Sequence, residues 1–83
     1  MIYEHKVGKH HFFIEWNKYG QWGENGETKW VATCQGLSLT LGDTPESVLF
    51  SLTRGRSHPT LDGLKPADMG LPSKLEAWSI ERI

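Results

Sequence analysis

Leu37-Ser38-Leu39-Thr40-Leu41 alternates apolar and polar residues without a break and runs straight into Gly42-Asp43-Thr44-Pro45-Glu46. A strict period of two marks a strand with one buried face, so the three leucines are expected on a single core-facing side. The residues that follow read as a helix start. With Asp43 as cap, Glu46 has capping-box spacing; with Thr44 as cap, Pro45 takes its favoured first position; Glu46 places a negative charge near the positive helix end in either case. Val48, Leu49 and Leu52 then share one face at helical spacing, and Gly55 is placed to end the helix. A helix over about residues 44–54 is too short to stand alone in water and must lie on a sheet.

The residues before this switch all read as strand. Ile2 to Val7 puts Tyr3, His5 and Val7 on one side, and His10 to Trp16 carries Phe12, Ile14 and Trp16 on one face. Gly8-Lys9 between them suits a type II′ turn, which would pair Val7 with His10, Lys6 with His11 and His5 with Phe12. One long strand with a bulge at Gly8 is the alternative. Asn25-Gly26 is the strongest turn signal of the chain and sits in the loose stretch from Tyr19 to Thr28. Lys29 to Gln35, bounded by Gly36, is the next strand, with Trp30, Ala32 and Cys34 on a core-facing side. Residues 55–73 form a long connection rich in Gly and Pro, in which Pro66-Ala67-Asp68-Met69-Gly70 can close one helical turn. Leu75 to Ile83 is read as a final strand. The expected fold is α+β: an antiparallel sheet of three to five strands in ββββαβ order, with one main helix packed on one face.

Eighty-three residues allow one hydrophobic core, so residues 1–83 are read as a single domain. With 37% hydrophobic and 23% charged residues, the chain is too apolar for a disordered segment and too polar for a membrane protein. Nine Lys and Arg against ten Asp and Glu leave a net charge of −1, and Arg54 and Arg56 form the only close basic pair. Nucleic-acid affinity rests on phosphate neutralisation, so this balance disfavours a nucleic-acid partner. The single cysteine, Cys34, excludes an intrachain disulfide and a CxxC-type zinc site. A secreted domain of this size is normally stapled by disulfides, and no apolar run has the length of a signal-peptide core or a membrane span. The expectation is a cytoplasmic protein with no membrane contact.

The four histidines are the first suspects for chemistry. His10 and His11 are neighbours on a strand, so they point to opposite faces and do not readily ligate one ion. Two convergent ligands at most can be argued where a site needs three or four, and the histidines read as surface imidazoles on an edge hairpin. Cys34 has no catalytic surroundings in the sequence and reads as a small core residue. Glu24 and Glu27 flank a turn in water. No catalytic residue, metal ligand or cofactor site is expected. The aromatic residues Trp16, Tyr19, Trp22 and Trp30 group around the 17–28 hairpin, mainly as packing. Trp22, beside the Asn25-Gly26 turn, is the one expected to be exposed, and an exposed Trp is a good interface anchor. The expected partner-binding residues are therefore Tyr19, Trp22 and Asn25 on the hairpin and Arg54, Arg56 and His58 after the helix. A sheet edge offers a further surface, for a protein partner or for a homodimer.

Three stretches together resemble the HicB-type antitoxin family: Ile14-Glu15-Trp16, then Trp30 through Leu37, then Gly42-Asp43-Thr44-Pro45-Glu46-Ser47-Val48. The resemblance spans about residues 10–54, and its sharpest element is the Gly-Asp-Thr-Pro-Glu helix start. It implies a β-β-β-α-β core related to the ribonuclease H fold but lacking its catalytic carboxylates, which binds and silences a small RNA-cleaving toxin. The chain departs from the family in its extra N-terminal strand, in the Gly-rich insertion at residues 20–28, and in having no candidate DNA-binding segment after residue 54. What the resemblance then implies is a stand-alone inhibitor or adaptor module, of phage or mobile-element type, directed at a toxin or a host protein. Gly8-Lys9-His10-His11-Phe12 also resembles the Gly-Ser-His strand of the toxin partner, with Lys9 in place of the serine. The alternative function is accordingly a small RNA-binding or RNA-cleaving protein using His10 or His11.

Overall fold

The computed structural model describes residues 2–17 and 29–81. Five strands, β1 (Ile2–Val7), β2 (His10–Asn17), β3 (Lys29–Cys34), β4 (Leu37–Gly42) and β5 (Ser79–Glu81), form one sheet, and α1 (Pro45–Thr53) follows β4. The sheet order is β4-β3-β2-β1-β5 and every neighbouring pair is antiparallel. The expected α+β architecture is therefore the observed one.

The first hairpin closes as its turn chemistry requires. Gly8 has φ 59° and Val7 stands opposite His10, so Gly8-Lys9 is a two-residue turn and the register runs Lys6 to His11 and His5 to Phe12. Between β3 and β4, Gln35 and Gly36 both take positive φ, 54° and 80°, as a type I′ turn demands. Glycine does so freely, and glutamine at a cost.

The side of the sheet that carries α1 holds the core. Phe12, Ile14, Ala32 and Cys34 are fully buried there, and Leu39, Val48, Leu49, Leu52, Leu71 and Trp78 close over them. Helix contacts run through Val48, Leu49 and Leu52, as their spacing predicts. Thr44 is the N-cap: its Oγ1 accepts from the Ser47 backbone N–H at 3.1 Å, and the Ser47 hydroxyl reaches back to the Thr44 N–H at 3.4 Å. Ser47, not Glu46, thus completes the capping box. At the other end Gly55 takes φ 75°, and the Arg56 N–H bonds the Ser51 carbonyl at 2.9 Å, a Schellman closure.

Two expectations need correction. Leu37, Leu39 and Leu41 do not share one face. Thr33 pairs with Ser38 and Ala32 with Thr40, so Leu39 is an extra residue, a β-bulge. Beyond it Leu41 lies opposite Val31, on the side away from the helix, because residues directly opposed across a ladder share a face. Val31 is buried at 5% exposure yet lies outside the helix-side cluster, between Glu15 and Leu41 on the far face. Nor is Leu75 to Ile83 one strand: Leu75–Ala77 winds a 3₁₀ turn, which brings Trp78 into the core, and β5 begins only at Ser79.

The connection after the helix is a fitted cover. Pro66–Asp68 forms the short 3₁₀ turn expected there. Thr60 is buried and closes a tight loop, receiving the Leu64 N–H on its Oγ1 at 3.1 Å. The Trp78 Nε1–H donates to the Pro72 carbonyl at 3.1 Å. No helix among the described residues is long and apolar enough to cross a membrane.

Candidate functional site

The helix C-terminus and the β4 edge bring three of the six expected binding residues together. Phe50 is on the outer side of α1 and is 49% exposed. Arg54 follows it at i+4, one helical turn along the same side, and its guanidinium lies 5.0 Å from the ring centroid. The Schellman turn at Gly55 folds the chain back, so Arg56 reaches the same ring at 5.9 Å. Two guanidiniums therefore flank one exposed aromatic face, within the range of a cation–π contact. Neither lies within 4 Å of a carboxylate among the described residues.

His58 is placed by the bulge. An extra residue in a ladder leaves its backbone groups without strand partners. The His58 N–H takes up the Leu39 carbonyl at 2.9 Å. The 56–58 segment is thereby held against the edge of the sheet, and between them runs an open groove of about 350 Å³. One wall is β4 from Ser38 to Leu41; the other is Arg56, Ser57 and His58. Among the described residues no carboxylate lines it.

The other three expected binding residues, Tyr19, Trp22 and Asn25, lie outside the described residues. Trp16 and Trp30, at the described ends of the strands that flank them, meet edge to face at 5.7 Å between centroids, and Tyr3 lies 6.3 Å from Trp30.

The histidines occupy different places. His10 is not a surface imidazole and its hairpin is not at an edge, since β5 flanks β1 and β3 flanks β2. The residue is only 6% exposed, on the helix side, and its Nε2 lies 2.9 Å from Asp62 Oδ2. An ionised carboxylate only accepts, so Nε2 carries the hydrogen. The Lys9 ammonium joins the same carboxylate at 3.3 Å. Both contacts hold the Asp62 carboxyl below its ordinary pKa, the His10 hydrogen bond first. His11 points to the opposite face, against Phe13 at 4.1 Å between ring centroids, with Nε2 3.5 Å from Glu4 Oε2. His5 packs on Trp78 at 5.5 Å. The sheet itself separates His10 from His11, so the two do not form one site. Cys34 is fully buried, and burial pushes its thiol pKa up against the His11 backbone N–H that favours the thiolate. A protonated, enclosed thiol is not a nucleophile. No group of three or more His, Cys, Asp or Glu among the described residues is arranged to hold a metal ion.

Sequence reasoning missed Phe50 and Asp62. Phe50 had a local signal in its i, i+4 spacing to Arg54, whereas Asp62 meets His10 across 52 residues of chain and had none. No family model matches the chain, and no curated protein or solved structure compared with it matches either.

Proposed function

We propose that this chain is a protein-binding module without catalytic chemistry of its own, an inhibitor or antitoxin-like adaptor that works in the cytoplasm. The observation that carries the reading is the exposed Phe50 ring clasped by Arg54 and Arg56 beside the groove of the β4 edge. Aromatic residues and arginine are the residue types that dominate binding energy where proteins meet. A guanidinium held near a ring has also lost part of its conformational freedom before a partner arrives, which lowers the entropic cost of docking. The resemblance of residues 10–54 to the HicB-type family supports an inhibitor role. A buried free thiol in a chain with no second cysteine supports a reducing compartment.

The RNA-cleaving alternative draws no support from the histidines, because His10 is enclosed and engaged by Asp62 while His11 faces the other way. The test is affinity purification from the native host of wild type and of Phe50→Ala, with mass spectrometry of the eluates. A protein that co-elutes with wild type and is lost with Phe50→Ala, at unchanged melting temperature, is the expected result. Co-elution of RNA without protein, or RNA cleavage abolished by His11→Ala, would overturn the reading.

A further inference from the structure

We infer that the groove between β4 and the 56–58 segment takes a short acidic peptide segment of the partner, laid along the strand, with its carboxylates on Arg54 and Arg56. The inference rests on the binding-module proposal above and names the chemistry of the partner's contact.

Charge is the first support. The chain as a whole is at −1, yet Arg54, Arg56 and His58 fall within five residues that contain no acid. The groove has Arg56 and His58 in one wall and, among the described residues, no carboxylate in either. Local positive potential of this kind is complementary to a negative partner, and it steers encounter as well as holding the complex.

The form of the cations is the second. A guanidinium lying over an aromatic ring keeps the N–H groups of its edge free to point outward. That edge presents paired donors that match the two oxygens of one carboxylate. Two guanidiniums at 5.0 and 5.9 Å from one Phe50 centroid can offer seats to a pair of carboxylates. Phe50 itself, half exposed, offers an apolar surface beside them.

Shape is the third. The wall from Ser38 to Leu41 is an edge strand, so the groove follows extended chain and is open to solvent. It suits a peptide lying along it. The Leu39 carbonyl is already taken by His58, so side chains supply most of the recognition.

The test titrates the ¹⁵N-labelled protein with capped synthetic peptides of alternating Glu-Val and alternating Lys-Val, with free glutamate, and with oligouridylate. The Glu-Val peptide is expected to shift the amides of residues 38–41 and 54–58, and to do so less at high salt. Arg54→Ala/Arg56→Ala should weaken it about tenfold, the loss expected for two part-screened ion pairs. Lys74→Ala, an exposed lysine away from the groove, should leave it unchanged. A silent titration, equal shifts from Lys-Val, or shifts confined to other residues would overturn the inference. Equal shifts from free glutamate would reduce the groove to a simple anion site, and tighter binding of oligouridylate at the same amides would assign it to nucleic acid; either outcome sinks it. The host-partner experiment fails independently: a protein lost with Phe50→Ala alongside a silent Glu-Val titration keeps the binding module and removes only the acidic segment.

Discussion

Gly42 ends β4 where the strand passes closest to the helix start, and a methyl group there would collide with the Ser47 hydroxyl and press on Val48 Cγ2 at 3.3 Å. The same hydroxyl is half of the capping box, bonded to the Thr44 N–H and carbonyl. Gly42→Ala therefore forces a choice: the strand end moves, or Ser47 rotates and the cap opens. Overpacking of this kind costs about 1–3 kcal/mol, and the lower chain entropy of alanine returns about 0.4–1 kcal/mol. A net loss of about 1–2 kcal/mol is expected for Gly42→Ala in the wild-type background. Ser47→Ala alone removes a long cap bond at an exposed site and should cost about 0.5 kcal/mol. In the double variant the colliding atom is gone, so adding Gly42→Ala to Ser47→Ala should cost about 0.5 kcal/mol or less. Urea denaturation of the four proteins closes the cycle, with a coupling of about 1 kcal/mol as the expected outcome. Equal increments for Gly42→Ala in both backgrounds would refute the close approach of strand and helix.

Leu52 is fully enclosed, whereas Leu49 borders an open groove of about 450 Å³ beside Tyr3, Leu75 and Ile80. Leu52→Ala should therefore cost about 3–4 kcal/mol and Leu49→Ala about 2–3 kcal/mol in chemical denaturation, because the second cavity can fill with water; the reverse order would show the helix face to be rotated. Gln35 sits at φ 54°, which asparagine tolerates better, so Gln35→Asn should stabilise by about 0.5 kcal/mol, and a lower melting temperature would contradict the type I′ turn. The Asp62 carboxyl is held below its ordinary pKa by His10 and Lys9, so its contribution is present above the unfolded-state pKa and is lost as pH falls through the folded-state value. Wild type should then lose stability below about pH 4 faster than Asp62→Asn; parallel acid limbs for the two proteins would mean that the contact does not favour the folded state.

What could be seen in the sequence was local. Gly8-Lys9 sets the first hairpin and its register because a two-residue turn allows one pairing of its flanks. Thr44, Pro45 and the spacing of Val48, Leu49 and Leu52 locate the helix for the same reason: each signal acts within one turn of chain. What escaped was set across the fold. An alternating pattern has no mark for one extra residue, so it hides the Leu39 bulge and points Leu41 to the wrong side. His10 is buried with its Nε2 satisfied by Asp62, which arrives from within the connection after the helix. Leu75 to Ala77 carries no breaker and so reads as strand, although Trp78 needs a turn there to enter the core. At the candidate site, the cationic residues were legible as a charge cluster, whereas the ring that organises them was hidden in the helix pattern.

The bulge connects the fold to its surface. An edge strand reading Leu-Ser-Leu-Thr-Leu, with no charge and no proline, is a template for pairing with another copy. Here Leu39 breaks the ladder and its carbonyl is occupied by His58, so a continuous second strand cannot add along β4. The opposite edge, β5, is three residues long among the described residues. Both edges as described thus oppose strand addition, and the homodimer through a sheet edge has the weaker physical case. The chain segment that blocks β4 is also the one that lines it with Arg56 and His58. Closing the edge to backbone pairing and opening it to side-chain recognition are then one structural event, which is why the contact to test first is the basic groove and not the strand.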